Sequence, residues 1–127
     1  MIQILRHEAE GFARLYENEN WTVALKNAGP SNCREAVVTL ERHNQTDELF
    51  LLLSGNAVMM EGTVENETVT GITEKKMESG CIYLIPHGVW HNTWMEPGAK
   101  FVIIENADTS YDNTDVIGIG PECRKEI

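Results

Sequence analysis

The sequence has few cysteines and no long apolar segment. Its three cysteines, Cys33, Cys81 and Cys123, are widely spaced, and no C-x-x-C pair occurs. This excludes a zinc ribbon and a redox motif, and it predicts reduced thiols. No apolar run approaches the roughly 18 residues that span a bilayer. The amino-terminal stretch MIQILRHEAEGF is interrupted by charge too early for a secretory signal. These absences predict a cytoplasmic protein.

Cationic residues are also scarce. Lysine and arginine number 10 against 20 aspartates and glutamates, so the net charge is −10. No excess of cationic side chains can neutralise phosphate groups, which argues against a nucleic acid or an anionic membrane as partner. The sequence also lacks a nucleophile motif, a phosphate-binding glycine-rich loop and a nucleotide fingerprint. The length of 127 residues predicts one domain, residues 1–127.

Short β-type runs separated by glycine, proline and asparagine make up most of the chain. The predicted strands are Trp21–Leu25, Ala36–His43, Glu48–Leu53, Ala57–Glu61, Glu67–Ile72, Cys81–Pro86, Trp90–Met95 and Phe101–Asn106. A total of about nine strands at spacings near ten residues predicts an all-β barrel or sandwich of the jelly-roll type. A short helix over Glu8–Tyr16 is the one helical candidate, and no structure is predicted after Ala107.

Two of these strands, Leu49–Leu53 and Phe101–Ile104, are apolar at consecutive positions. Neighbouring side chains of a strand point to opposite faces of its sheet, so both faces of these strands must be buried. The wall of a small barrel has only one inner face, and a second subunit is the simplest cover for the outer face. The sequence therefore predicts a homodimer.

The most informative stretch runs from Gly80 to His91 and reads G-C-I-Y-L-I-P-H-G-V-W-H. Its pattern predicts a strand, a tight turn at Pro86-His87-Gly88 and a second strand that begins beside His91. Proline presets the backbone of the turn, and glycine supplies a conformation that other residues avoid. The turn is therefore expected to hold the His91 side chain in a fixed direction at the start of the second strand.

This stretch resembles the second motif of the cupin family, which is a glycine, five residues, a proline, one residue, a glycine, two residues, a histidine, three residues and an asparagine. Gly80, Pro86, Gly88 and His91 fit this pattern, and Met95 stands at the asparagine position. The resemblance covers residues 35–106 and implies a double-stranded β-helix, the cupin form of the jelly-roll barrel, with a metal ion inside it.

The first cupin motif is a histidine, one residue, a histidine, three or four residues, a glutamate, six residues and a glycine. Glu48 has the required separation from its glycine, Gly55. Counting back with the longer spacer puts Glu41 and His43 at the two histidine positions. We favour this register because it places one histidine correctly. The shorter spacer would place Arg42 and Asn44 at these two positions, and the sequence alone does not exclude it.

The candidate metal ligands are Glu41, His43, Glu48 and His91. Residues 41 and 43 lie two apart on one strand, so their side chains share a face. Glu48 opens the next strand, and His91 enters from a third. Two imidazoles with one or two carboxylates suit Fe(II), Mn(II), Ni(II) or Zn(II). The carboxylate at position 41 shifts the preference toward harder ions.

Neighbouring apolar residues predict the surroundings of this site. Phe50 and Leu52 lie at even spacing on the strand that Glu48 opens, so we expect them to form an apolar floor in the same interior. Trp90 and Trp94 share the strand face opposite to His91, and they are expected to pack in a core or a subunit interface.

The resemblance does not choose a reaction, because cupins include isomerases, epimerases, dioxygenases, decarboxylases and non-catalytic binders of sugars or effectors. We expect a small metal-binding cupin whose ligand is a small polar metabolite, with a carbohydrate as one example. A metal-dependent isomerase, epimerase or Fe(II) oxygenase is one alternative, and a non-catalytic sensor or binding module is another. A cationic side chain inside the barrel that holds the substrate would discriminate among them. Arg42 is the candidate near the motifs, and its direction depends on the register.

Overall fold

The structure, a computed structural model, describes residues 1–125. Ten strands in this range form two antiparallel sheets of five strands each. The strands are β1 (Gly11–Glu17), β2 (Trp21–Asn27), β3 (Thr39–His43), β4 (Glu48–Ser54), β5 (Ala57–Glu65), β6 (Thr68–Lys76), β7 (Ile82–Ile85), β8 (Trp90–Met95), β9 (Lys100–Asn106) and β10 (Thr114–Gly118). The helical segments are 3-10 turns at Pro30–Asn32 and Tyr111–Asn113 and the helix α1 (Pro121–Lys125). No helix within residues 1–125 has the length and apolar character needed to cross a membrane. The predicted all-β fold is confirmed.

The chain alternates between the two sheets at the positions of both motifs. Sheet one has the strand order β1-β2-β9-β4-β7, and sheet two has the order β10-β3-β8-β5-β6. The first motif spans β3 and β4, which belong to different sheets, and the second spans β7 and β8, which do so as well. Each motif therefore contributes residues to both walls of the interior, and these residues face one another across it.

Two strands were not predicted from the sequence, and one prediction was wrong. The segment 8–16, for which a helix was considered, instead contributes most of β1, which pairs with β2 and places Phe12 opposite Lys26. Its apolar helical stripe is weak, so a helix would bury little, whereas strand pairing gives every second side chain an inward face. β10 lies in the tail after residue 107 and pairs with β3, where Thr114 lies opposite His43. Strands outside residues 35–106 thus complete both sheets.

One end of the interior between the sheets is filled by a first hydrophobic cluster. Phe50 and Phe101 meet edge to face at a centroid distance of 5.3 Å, and Leu52, Ile103 and Met95 pack around them. Aromatic pairs in this arrangement gain attraction beyond their buried area. The cluster supports one end of the interior, so that polar residues occupy the remaining part of the same strands.

A second cluster covers the outer face of sheet two. Leu40 and Met60 are fully buried there together with Ile119 from the carboxy-terminal segment. Trp90 and Trp94 pack against this cluster, on the face opposite to His91, as predicted. The apolar face of β3 is therefore buried outside the barrel, which leaves its other face, with residues 41 and 43, for the interior.

The outer face of sheet one is apolar and exposed. Ile82 and Leu84 on the edge strand β7 are 69% and 57% exposed, and Leu53 on β4 and Ile104 on β9 are exposed as well. Exposed apolar patches on this scale mark interaction surfaces. A twofold axis would place the same face of two copies together. The predicted homodimer stays a prediction, and we propose this face as its interface.

Replacing Leu84 with glutamate is expected to break such a dimer, because association would bury a carboxylate without a partner. In analytical ultracentrifugation the wild type should sediment with twice the chain mass of 14.3 kDa, and the variant with a single mass. The same change at Val116, which is also 57% exposed but lies on β10 of the other sheet, should leave the dimer intact. A wild type with a single-chain mass at all concentrations would contradict the proposal.

Gly55 of the first motif occupies a position that only glycine fits. Its φ is +75°, and a Cβ atom there would lie 2.6 Å from the backbone Cα of Ala99. Replacing Gly55 with alanine should destabilise the protein by about 2 to 4 kcal/mol, since both backbone strain and a clash result. Urea unfolding measures this cost. Alanine at Gly71, where a Cβ meets nothing within 4 Å and φ is not positive, should cost far less.

Candidate metal centre

The four predicted ligands meet at one place between the sheets. β3 contributes Glu41 and His43, and β8 contributes His91 directly opposite Glu41 in the strand register. Glu48 reaches them from β4 in the other sheet. One donor atom from each of the four residues lies within 4.8 Å of all the others. The structure thus brings the four together, and their binding of a metal ion stays a prediction.

Glu48 lies at the centre of this cluster. Its Oε1 atom is 2.9 Å from Nε2 of His91 and 3.4 Å from Nε2 of His43. Oε1 of Glu41 is 3.6 Å from Nε2 of His43 and 3.8 Å from Nε2 of His91. Glu48, His43 and His91 are buried, whereas the Glu41 side chain is 38% exposed and faces the open side of the site.

Hydrogen bonds at Nδ1 hold both imidazoles with Nε2 toward the cluster. Nδ1 of His91 lies 2.9 Å from the carbonyl oxygen of Val89, and because a carbonyl can only accept, this nitrogen carries the proton. Nδ1 of His43 pairs with the hydroxyl of Thr114 at 2.9 Å. Such contacts typically fix the ring orientation of metal-binding histidines. In a neutral ring with this tautomer, Nε2 offers its lone pair to the site.

The turn between β7 and β8 is fastened to the strand that holds the other histidine. Gly88 has a φ of +85° and donates its backbone N–H to the carbonyl oxygen of His43 at 2.7 Å. A side chain at this position would strain the backbone, which explains the glycine of the motif. The bond couples the position of His91, three residues later, to that of β3.

Burial and charge act in opposite directions on the titration of these groups. Burial by itself would lower the pKa of His43 and of His91, but the neighbouring Glu48 carboxylate outweighs it and raises both pKa values above 6.5. Burial likewise favours the neutral form of Glu48, yet the two imidazoles bring its pKa down to about 2. The donors therefore bind protons and cations in competition, so cation affinity falls as the pH drops through the histidine pKa values.

The donor set fits a divalent transition metal. Nε2 of His43 is buried and has no hydrogen-bond partner among the described residues, although two carboxylates face it. A cation between these groups would satisfy this nitrogen better than the 3.4 Å contact with Glu48 does. Bonds from zinc to histidine nitrogen and carboxylate oxygen are about 2.0 to 2.2 Å long, so ligands of one ion lie up to about 4.4 Å apart. The four donor atoms lie within 4.8 Å of one another, which is close to this value.

A cavity of about 610 Å³ opens beside the cluster. Phe50 lines it, as predicted, whereas Leu52 lies beneath it in the first hydrophobic cluster. The remaining walls include the apolar Phe12 and Ile103 and the charged Arg14, Lys26 and Glu105. The volume is that of a site for a small metabolite.

The three charged residues of the cavity wall were missed in the sequence. Lys26 continues the inward face that Thr22 and Ala24 begin, one residue beyond the predicted end of that strand. Glu105 occupies the same kind of inward position on β9. Each of these two residues could have been found in the sequence, because it is a charged residue two positions after an apolar residue that faces the interior from the same strand. Arg14 had no such signal, because a strand was not predicted there.

Glu105 lies across the strand pair from Glu48 and contacts Arg14. Burial, and then the charge and hydrogen bond of Glu48, raise the pKa of Glu105 to about 7, and this rise is opposed by His43 and by Arg14. Nη2 of Arg14 lies 3.4 Å from its carboxylate. Near neutral pH a protonated Glu105 can therefore donate a hydrogen bond to the ionised Glu48 carboxylate.

Residues of the alternative register face away from the site. Arg42 forms an ion pair with Asp115 and lies over the ring of Trp90, with its guanidinium carbon 4.5 Å from the ring centroid. Asn44 donates to the same Asp115 carboxylate at 3.1 Å. Arg42 is therefore not the cationic residue at the cavity.

This chain is similar to known proteins in its structure, whereas the comparisons of its sequence found no match. No family model matches the sequence, and no curated protein matches it. An uncharacterized conserved protein with a double-stranded β-helix domain from Klebsiella pneumoniae is 16% identical at a TM-score of 0.55, and the match covers 89% of this chain and 90% of that one. KdgF from Halomonas sp. is 12% identical at a TM-score of 0.54, with 87% and 91% covered.

A third match is a variant of the oxalate decarboxylase OxdC from Bacillus subtilis, which is 19% identical at a TM-score of 0.56. The match covers 88% of this chain but only 29% of that longer chain. Such neighbours establish the fold: the chain has the double-stranded β-helix fold, which the resemblance of residues 80–91 to the cupin motif implied.

Replacing Thr114 with valine removes the hydroxyl that orients His43 and keeps the shape of the side chain. We expect the affinity of the cluster for a divalent cation to fall about 10- to 100-fold. Competition with a chromogenic chelator measures the dissociation constant. Valine at Thr73, an exposed position on β6, serves as the control and should change nothing. An unchanged constant in the Thr114 variant would show that this contact does not orient a ligand.

Proposed function

We propose that the protein is a metal-binding cupin that binds a small polar metabolite at a divalent cation in the barrel. One observation supports the proposal above the others: two imidazoles and two carboxylates bring one donor atom each within 4.8 Å of all the others. Within this cluster Nε2 of His43 makes no hydrogen bond of good geometry, and its nearest carboxylate oxygen, from Glu48, is 3.4 Å away. A cation of the Fe(II), Mn(II), Ni(II) or Zn(II) class would satisfy all four donors together.

The chain contributes a rigid part and an adjustable part to such a site. His43, His91 and Glu48 are buried and fixed by contacts on their far sides or by one another. Glu41 is partly exposed at the cavity side and has more freedom to move. When bound, the cation would supply Lewis acidity toward a polar group of the metabolite. The apolar cavity wall at Phe50 would strengthen that effect by lowering the local dielectric.

We place the protein in the cytoplasm. The thiols of Cys33, Cys81 and Cys123 are all free, although one of them is exposed and two are partly exposed. Free thiols are typical of reducing compartments. The excess of acidic residues supports a small-molecule ligand over a nucleic acid or an anionic membrane.

The proposal is tested by the metal content of protein purified without a polyhistidine tag. Mn, Fe, Ni and Zn are offered separately, and elemental analysis by mass spectrometry measures the bound ion. The wild type should hold about one ion per chain. Replacing His91 with alanine should reduce the affinity at least about tenfold, because a first-sphere donor is lost.

Two further variants keep the result unambiguous. Glu48→Gln retains the shape of the side chain and removes its charge, so it should lose the ion without leaving a cavity. His87→Ala is the matched histidine control, because this side chain is 64% exposed in the turn and bonded to Asp47. A wild type that binds none of the four ions, or a His91 variant that binds the ion as tightly as the wild type, would overturn the proposal.

A further inference from the structure

Lys26 places an ammonium group in the cavity wall, on the inward face of β2. Thr22 and Ala24, at even steps before it, are 1% exposed each. Its neighbours across the strands are Phe12 and Phe101, and its Nζ atom lies 5.9 Å from the centroid of the Phe101 ring. The ammonium thus lies beside aromatic surface at a position where an apolar residue would be expected.

Among residues 1–125 this ammonium forms no ion pair within 4.0 Å and no hydrogen bond, and its contact with the Phe101 ring leaves the charge without an anionic partner. Burial accordingly lowers the pKa of Lys26, and the more distant charges of Glu41 and Glu48 partly oppose this. Arg14, the other cation of the wall, is already paired with Glu105. A partly buried charge without an anionic partner is unfavourable unless a ligand compensates it.

The charge balance of the cavity favours an anion once a cation is bound. Three carboxylates line it, from Glu41, Glu48 and Glu105, and two cationic side chains face them. With a divalent cation bound and the imidazoles neutral, positive charge is in excess whether or not Glu105, whose pKa is about 7, is ionised, and the carboxylate of a ligand would offset it. The described residues of the wall include no glycine-rich loop and no N-terminus of a helix longer than one turn. Phosphate sites commonly use such elements, so a carboxylate fits better than a phosphate.

We propose that Lys26 binds the carboxylate of a small organic acid whose other end reaches the metal, so that the metabolite of this site is a carboxylic acid. The inference rests on the proposed function, because the second contact is the cation. Lys26 and the four-residue cluster line the same cavity, so one small acid can contact both. The apolar side chains of Phe50 and Ile103 line it as well and would contact the carbon chain of the acid.

Isothermal titration calorimetry of the Mn(II)-loaded protein tests this with matched probes. Succinate carries a carboxylate at each end, and its half-amide succinamate has one carboxylate and one neutral amide. The wild type should bind succinate about 10- to 100-fold more tightly, since a charge-assisted contact is lost in the amide. Lys26→Met should bind the two probes equally. Lys26→Arg should retain the preference for succinate.

Lys75→Met, at an exposed lysine of β6, is the control and should behave as the wild type. Metal content is measured for every variant, and Lys26→Met should keep its ion because Lys26 is not a ligand. A Lys26→Met variant that still prefers succinate would overturn the inference. So would metal-loaded wild type that binds both probes alike, or that prefers 3-phosphonopropionate to succinate. A wild type without metal would overturn the proposed function, and the inference with it.

Discussion

The contact of His91 with Glu48 joins the two sheets at the centre of the barrel, and the surrounding structure is arranged to make it possible. Both groups are almost fully removed from water, and their atoms lie 2.9 Å apart. Burying charged groups is costly, and a buried pair rarely stabilises a fold as well as apolar residues of the same size would. The cost is limited here because Val89 and Thr114 satisfy the far sides of the two imidazoles. A cluster of this kind is better explained by a role in binding than by stability.

The positions of the apolar residues follow from this polar interior. Phe50, Phe101 and their neighbours fill one end of the barrel, and the polar cluster occupies the rest. Sheet two is covered on its outside by the segment after β10, with Ile119 packed on Leu40 and Met60. Sheet one has no comparable cover among residues 1–125, and Ile82 and Leu84 remain exposed on it. A symmetric partner packed on sheet one would cover its apolar outer face, as the carboxy-terminal segment covers that of sheet two.

The cavity wall carries two chemically different groups. Imidazoles and carboxylates supply the donors for a cation, and Lys26 supplies a positive charge beside aromatic surface. The strands that hold these groups are hydrogen-bonded into sheets, so the fold limits the distance between them. A ligand is therefore selected by its length and by the charge at its far end, in addition to what it offers to the cation.

Much of the site was determined by local sequence. The turn from Pro86 to Gly88 fixes the entry of His91 by backbone conformation alone, and the even spacing of Glu41 and His43 gives them a common face in any strand. Such features depend on a few neighbouring residues, so the pattern predicts them. The sequence did not determine whether this pair or the alternative pair, Arg42 and Asn44, faces the interior. The structure determines it, because the packing of Leu40 beneath the carboxy-terminal segment turns the Arg42 face outward.

The groups that complete the cavity depended on long-range pairing. Thr114 reaches His43 because β10 pairs with β3 across 71 residues of chain, and Lys26 reaches the cavity because β2 pairs with β9. Strand pairing overrode the weak helical pattern of residues 8–16 and created the wall to which Arg14 belongs. Local pattern specifies which way a side chain can point within a strand, whereas contacts between distant segments decide what it faces, and those contacts exist only in the folded chain.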